Sequence, residues 1–157
     1  MRPILSAQGT YNYALARWID EKVKPLSLNQ YTISDIFSFS EDLRSTSLNA
    51  SDILVSCDVS SLFTNVPLDE TLRILVEKAF TGNWFNATHK LNISKSDLVE
   101  LLQVATKSQL FQFDGRLYEQ VDGIAMGSPL GPLVANASLY SNEEQLEREN
   151  KLPSFYI

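Results

Sequence analysis

Cysteine is nearly absent from this chain. Cys57 is the only one in 157 residues, so no disulfide can close within it and no disulfide partner is expected. Such usage points to a reducing, intracellular compartment. Histidine is as scarce: His89 stands alone in a polar segment and reads as a solvated side chain rather than a ligand. Positive charge is also short. Thirteen Lys and Arg face nineteen Asp and Glu, a net charge of −6, and the basic residues are scattered. No generic basic patch is visible, which counts against simple electrostatic capture of DNA or RNA. A site in which metal ions supply the positive charge is not excluded. Long apolar runs are missing too. No stretch nears the ~18 residues of a membrane span, and the opening "MRPILSAQGTYNY" has no apolar centre of a signal peptide. A membrane is not among the expected partners.

What the chain does hold is a core. Hydrophobic residues make up 44% of a length that suits one domain. "GTYNYALARWIDEKVKPL" predicts a helix capped by Thr10, with Leu15, Trp18, Ile19 and Val23 along one face and Pro25 at its end. "TISDIFSFSEDLRS" predicts a shorter one, with Thr32 and Asp35 at capping-box spacing. "DILVSCDV", 52–59, is a short apolar run that suits a buried strand. "PLDETLRILVEKAF" and "SKSDLVELLQVAT" predict two more helices, the second capped by Ser94 with Asp97 three residues on. Asp114-Gly115 between aromatic-rich arms predicts a hairpin. A last helix runs over roughly 133–149, and "KLPSFYI" looks like a strand just begun. The order implies an α+β fold, since the strands are too few and too far apart for a doubly wound sheet.

Two segments carry candidate chemistry. In "VSCDVSSLFTNVP" Asp58 ends the apolar run. It either caps a turn with Ser60 and Ser61 or serves as a metal ligand, with the Val59 carbonyl beside it. Phe63 is either a core aromatic or a wall beside a nucleotide sugar. The other segment is "DGIAMGSPLGPLVAN", with glycines at 123, 127 and 131 and prolines at 129 and 132. No Lys follows the last glycine, so it is not a Walker loop, and the dinucleotide-binding spacing is absent. It is a tight loop running into a helix. It is either an ordinary turn or a place where a ligand approaches backbone closely.

Taken together, these segments resemble the palm of a reverse transcriptase, most of all that of Penelope-like retroelements. The stretches that carry the likeness are "RPILSAQGTYNYALARWIDEKVKPL", "VSCDVSSLFTNVPLDET", "QLFQFDGRLYEQVDGIAMGSPLGPLVAN" and "LPSFY", nearly the whole chain. The resemblance implies a partial right-hand polymerase fold over 1–157, with fingers-derived sequence to about residue 50 and palm sequence after it. It implies an RNA-directed DNA polymerase that adds deoxynucleotides to a primer 3′-hydroxyl on an RNA or DNA template, using Mg²⁺ or Mn²⁺. It is compatible with a nuclear location.

Residue by residue, Asp58 matches the first catalytic aspartate and Val59 would lend its backbone carbonyl to a metal ion. Phe63 matches the aromatic gate that excludes a 2′-hydroxyl. Arg2 matches the fingers arginine that grips the triphosphate. Gly127 matches the glycine over which template and nucleotide pack, with Gly123, Ser128, Pro129 and Gly131 completing the loop. Met126 stands where many reverse transcriptases have Gln.

The family places its remaining carboxylates in an aromatic-x-Asp-Asp hairpin just after a segment like "LPSFY". No Asp-Asp pair occurs in this chain, so that catalytic hairpin is missing. The expectation is a fragment of the parent enzyme, marginally stable and inactive alone. The alternative is a non-catalytic relic that binds nucleic acid or a partner. Among the other residues, Asp122 is read as a turn residue, Trp18 and Trp84 as packing, and Glu143, Glu144, Glu147 and Glu149 as a solvated acidic face.

Overall fold

A computed structural model describes residues 7–33, 35–47, 49, 51–107 and 109–156. Helix α1 (Tyr13–Val23) runs into a 3-10 turn (Lys24–Ser27), and α2 covers Ile36–Ser45. A short α3 (Leu62–Asn65) precedes α4 (Leu68–Phe80), which passes through a second 3-10 turn (Thr81–Asn83) into α5 (Trp84–His89). Then come α6 (Lys95–Thr106), strands β1 (Gln109–Phe113) and β2 (Arg116–Gln120), and α7 (Gly131–Arg148). The fold is α+β, with one two-stranded antiparallel sheet among the described residues.

The core lies where four amphipathic helices turn their apolar faces together. Helix α1 buries Ala16, Ile19 and Val23 at helical spacing, with Leu15 and Trp18 packed at the margin. Helix α4 buries Leu72, Leu75, Val76 and Ala79, α6 buries Leu98, Leu102 and Ala105, and α7 buries Leu133, Val134 and Ala137. Phe85 of α5 fills the remaining space, fully enclosed. Lys78 bridges α4 to α7: its ammonium lies 3.0 Å from the centroid of the Tyr140 ring and 3.4 Å from Glu144 Oε2. Burial pushes the Lys78 ammonium below its ordinary range, and Glu144 opposes that shift.

Several local signals act as the sequence implies. Ser94 accepts from the Asp97 amide while Asp97 accepts from the Ser94 amide, the reciprocal capping box of α6. Asp114 and Gly115 both take positive φ, as the primed hairpin turn between β1 and β2 requires. Phe111 and Tyr118 sit opposite each other there, their rings stacked 5.5 Å apart. Two other caps differ. Thr10 does not cap α1; it bonds the Ala7 carbonyl and Asn12, whose amide reaches the Ala105 carbonyl at the end of α6. Asp35, not Thr32, caps α2, accepting from the Phe37 and Ser38 amides.

The largest departure is the run 52–59, which forms no strand. Ile53, Leu54 and Val55 are 85%, 65% and 77% exposed. A strand needs a neighbour for its backbone N–H and C=O groups, and among the described residues none lies alongside. The segment 152–156 likewise forms no strand. Tyr156 instead sets its ring edge-on against Tyr31 and donates its hydroxyl to Glu143 at 3.0 Å. Burial, then that bond, raises the Tyr156 hydroxyl above its ordinary value.

Two expected surface features are structural. Nε2 of His89 lies 3.0 Å from the Lys22 carbonyl. That carbonyl is one of the last in α1, so His89 satisfies an acceptor the helix leaves open. Its ring also meets Trp84 and Phe85 edge-on. The acidic side of α7 is more than solvated. Glu143 also accepts from Asn29, and Glu147 accepts from Gln30 at 3.2 Å, so this side fastens the 29–31 turn.

Candidate functional site

The residues after Asp58 fold into a tight turn. Ser61 takes a left-handed conformation at φ +56°, uncommon for a residue with a Cβ. Its carbonyl accepts from the Thr64 and Asn65 amides, and Asn65 Nδ2 donates to the Ser60 carbonyl. This compact turn is α3, and it presents the Phe63 carbonyl and ring outward from 62–65. The turn expected at Ser60-Ser61 is present. Its bonds run to the backbone carbonyls, however, and Asp58 is not part of them.

The loop 123–131 is built as two successive turns. The Ser128 amide donates to the Ala125 carbonyl at 3.0 Å, and the Gly131 amide donates to the Ser128 carbonyl at 2.9 Å. The buried Ser128 hydroxyl accepts from the Leu130 amide. Ile124, Ala125 and Leu130 sink into the core and anchor the loop. Pro132, in the first turn of α7, lacks an N–H that the helix start would leave unpaired in any case.

These two segments are sixty residues apart in the chain and touch directly. The Ile124 amide donates to the Phe63 carbonyl at 2.8 Å. Gly123, at φ +66°, lies so close that a Cβ would fall 2.2 Å from the Phe63 carbonyl oxygen and 2.7 Å from Thr64 Cα. Gly131 faces the Phe63 ring, where a Cβ would meet Cε1 at 3.2 Å. Two of the loop's glycines therefore make room for this chain's own α3. Phe63 is half-buried, with its inner side on the loop.

The other expected site residues stand as follows. Met126 is 37% exposed and Gly127 half-buried, at the outer bend of the loop. Pro129 is half-buried between Ser128 and Leu130. Asp58 is exposed and makes no hydrogen bond or ion pair among the described residues, and Val59 beside it is also exposed. Arg2 lies outside the described residues. Phe63, Gly123, Ser128 and Gly131 are thus brought together, while Asp58 and Val59 stand apart on the exposed segment.

On the far side of Gly123 opens a cleft of about 690 Å³ between the start of α4, the end of α6 and the end of β2. Asp69 and Lys107 form an ion pair there at 2.9 Å, and Glu119 and Asp122 also line the cleft. Nothing in the sequence marks this cleft, because its walls come from three separate helical and strand ends. The Phe63–Gly123 junction did leave a signal. Asp-Gly after a strand calls for positive φ at the glycine, but its partner could not be read from local spacing.

A two-metal centre needs several carboxylates around the ions. Asp58 and the Val59 carbonyl supply two donor groups, and among the described residues no three His, Cys, Asp or Glu gather to hold a metal. These residues alone do not fit such a centre. No described helix is long and apolar enough to cross a membrane. Comparison with protein-family models, curated proteins and solved structures finds no match.

Proposed function

We propose that the chain is the fingers-and-palm part of a retroelement RNA-directed DNA polymerase, and that Phe63 and the loop 123–131 form its nucleotide-facing surface. The observation that supports this most is the seating of Phe63 on the glycine loop. The resemblance assigns both segments to one nucleotide site, and such a site requires an aromatic wall beside backbone stripped of side chains. The Ile124 amide, bonded to the Phe63 carbonyl, joins the two segments and supports that reading. The ligands are then a deoxynucleoside triphosphate and a primer–template, with Met126, Gly127 and Phe63 facing the nucleotide.

A second reading is favoured by a different observation. Asp58 and Val59 lie on an exposed segment that is not packed against the loop. This arrangement suits a domain that binds primer–template or nucleotide without turning it over.

The two readings part in one set of measurements. Both expect the chain to bind a DNA primer annealed to an RNA template, with affinity falling as salt rises. Both expect dATP with Mg²⁺ to shift the resonances of Phe63 and of 126–131. Loss of both effects ends the two readings together. Primer extension that disappears in Asp58→Ala would establish the catalytic reading and end the second. Binding without extension would do the reverse for this chain.

A further inference from the structure

The glycines of the loop have a task that the resemblance does not assign. Gly123 and Gly131 flank a single residue, Phe63, and each touches a different part of it. Gly123 meets its backbone: the Cβ it lacks would lie 2.2 Å from the Phe63 carbonyl oxygen. That same carbonyl accepts from the neighbouring Ile124 amide at 2.8 Å. Gly131 meets the ring: its missing Cβ would lie 3.2 Å from Cε1 and 3.6 Å from Cδ1, with the Ala125 carbonyl oxygen of the loop itself at 3.3 Å. Backbone and ring are therefore set independently, one by a hydrogen-bonded contact and one by a van der Waals floor.

The floor is itself fixed. Gly131 opens α7, its amide is bonded to the Ser128 carbonyl, and Leu130 and Leu133 on either side are buried. Interiors packed this way shift little, so a ring resting on them holds its position. Phe63 and Leu62 pack against the buried core from this side, while Thr64 and Asn65 beyond them are exposed.

We infer that Gly123 and Gly131 are positioning residues that set the Phe63 ring, and through it the discrimination between deoxyribose and ribose at the proposed nucleotide surface. The inference rests on that reading of the site. A wall that excludes one hydroxyl works by fractions of an ångström. A methyl group at 131 stands too close to both the ring and the Ala125 carbonyl, and of the two the side chain yields more readily than main chain, by a few tenths of an ångström and away from the α7 floor. The ring then crowds deoxyribose as well as ribose, and the difference between them narrows.

The full chain labelled with para-fluorophenylalanine tests this by fluorine NMR, with the Phe63 resonance assigned by its loss in Phe63→Leu. Gly131→Ala is the working variant, because the nearest contact of its new methyl is a ring that can move, with the Ala125 carbonyl next at 3.3 Å. Gly123→Ala meets main chain and is the harsher second variant, read by hydrogen exchange at the Ile124 amide. Gly131→Ala should shift the Phe63 fluorine signal. It should also narrow the preference for dATP over ATP, each titrated with Mg²⁺ and a primer–template, by roughly tenfold, the scale set by one methylene in a pocket. Gly123→Ala, where it folds, should speed exchange at Ile124.

An unmoved Phe63 signal in Gly131→Ala overturns the positioning role whatever the nucleotides do. A moved signal with an unchanged dATP-to-ATP ratio overturns the link to sugar choice and leaves the proposed site standing. A moved signal with no nucleotide bound by the unsubstituted chain overturns that link too, and with it the proposed function.

Discussion

Ile124 and Ile53 are the same side chain in two segments assigned to one site, and they meet opposite fates. Ile124 is 1% exposed and Ile53 is 85% exposed. Hydrophobicity is the same in both, so it does not decide. Partners do. The Ile124 amide bonds the Phe63 carbonyl, its loop closes two turns on itself, and α7 carries the whole into the core. The backbone of 53–59 forms no hydrogen bond among the described residues. Burying it would strand its polar groups, at a cost of roughly 1–3 kcal/mol for each one left unpaired. An apolar side chain gains about 1.5–3 kcal/mol by full burial, so three such residues cannot offset several orphaned amides and carbonyls. The segment stays outside.

Substitutions in the two segments and in the core test this contrast. The largest effect belongs to the core. Leu75→Ala, at a fully buried position, should lose about 2–5 kcal/mol in urea unfolding. Leu54→Ala removes the same atoms from the exposed segment and should change stability by less than about 0.5 kcal/mol. A large loss in Leu54→Ala would show that the segment is buried in solution and end the comparison.

Gly123→Ala comes next. It combines a left-handed backbone conformation with an overlap on the Phe63 carbonyl. Strain and overpacking of this kind together cost about 2–4 kcal/mol, again read from urea midpoints. Ser94→Ala should cost about 1 kcal/mol, as N-cap losses do.

The same cap has a pH signature. Hydrogen bonds from the Ser94 amide and hydroxyl hold the Asp97 carboxyl below its ordinary value, and the Ser38 and Phe37 amides do the same for Asp35. A depressed carboxyl stabilises the fold above its unfolded pKa, and that stability is lost as pH falls through the folded one. Acid unfolding below the ordinary carboxylate range should therefore be blunted in Asp97→Asn. An unchanged acid limb would remove Asp97 from the account.

The smallest expected effect is none at all. Cys57 lies exposed on the unpaired segment, so a thiol reagent should label it in the folded chain about as fast as in urea. Strong protection would place 52–59 in a sheet after all.

Legibility in the sequence followed the range of the forces. Helices α1 and α4 are legible through apolar spacing, α6 through its Ser94–Asp97 box, α7 through the Gly-Pro loop that leads into it, and the hairpin through Asp114-Gly115. Features that depend on distant partners are not. The run 52–59 has strand composition, yet pairing is decided by another segment. The short α3 rests on a left-handed Ser61 that no propensity predicts. The bond from His89 to the end of α1 spans sixty-seven positions. For the site, the residue types were visible and the contact between Phe63 and the loop was not. Spacing alone suggests that Gly123 clears room for a ligand, and its nearest neighbour is the backbone of α3.

That junction also bears on which letters the chain can carry. At position 123 the obstacle is main chain, present whatever residue occupies 63 or 64, so no change of side chain elsewhere can make room for a Cβ. Position 131 is different, because its nearest obstacle is the Phe63 ring, which another residue could replace. Across related sequences, 123 should therefore remain glycine on its own account. At 131 the Ala125 carbonyl oxygen, 3.3 Å from a Cβ, remains whatever stands at 63, so 131 should grow no larger than alanine, and an alanine there should come with a slimmer residue at 63.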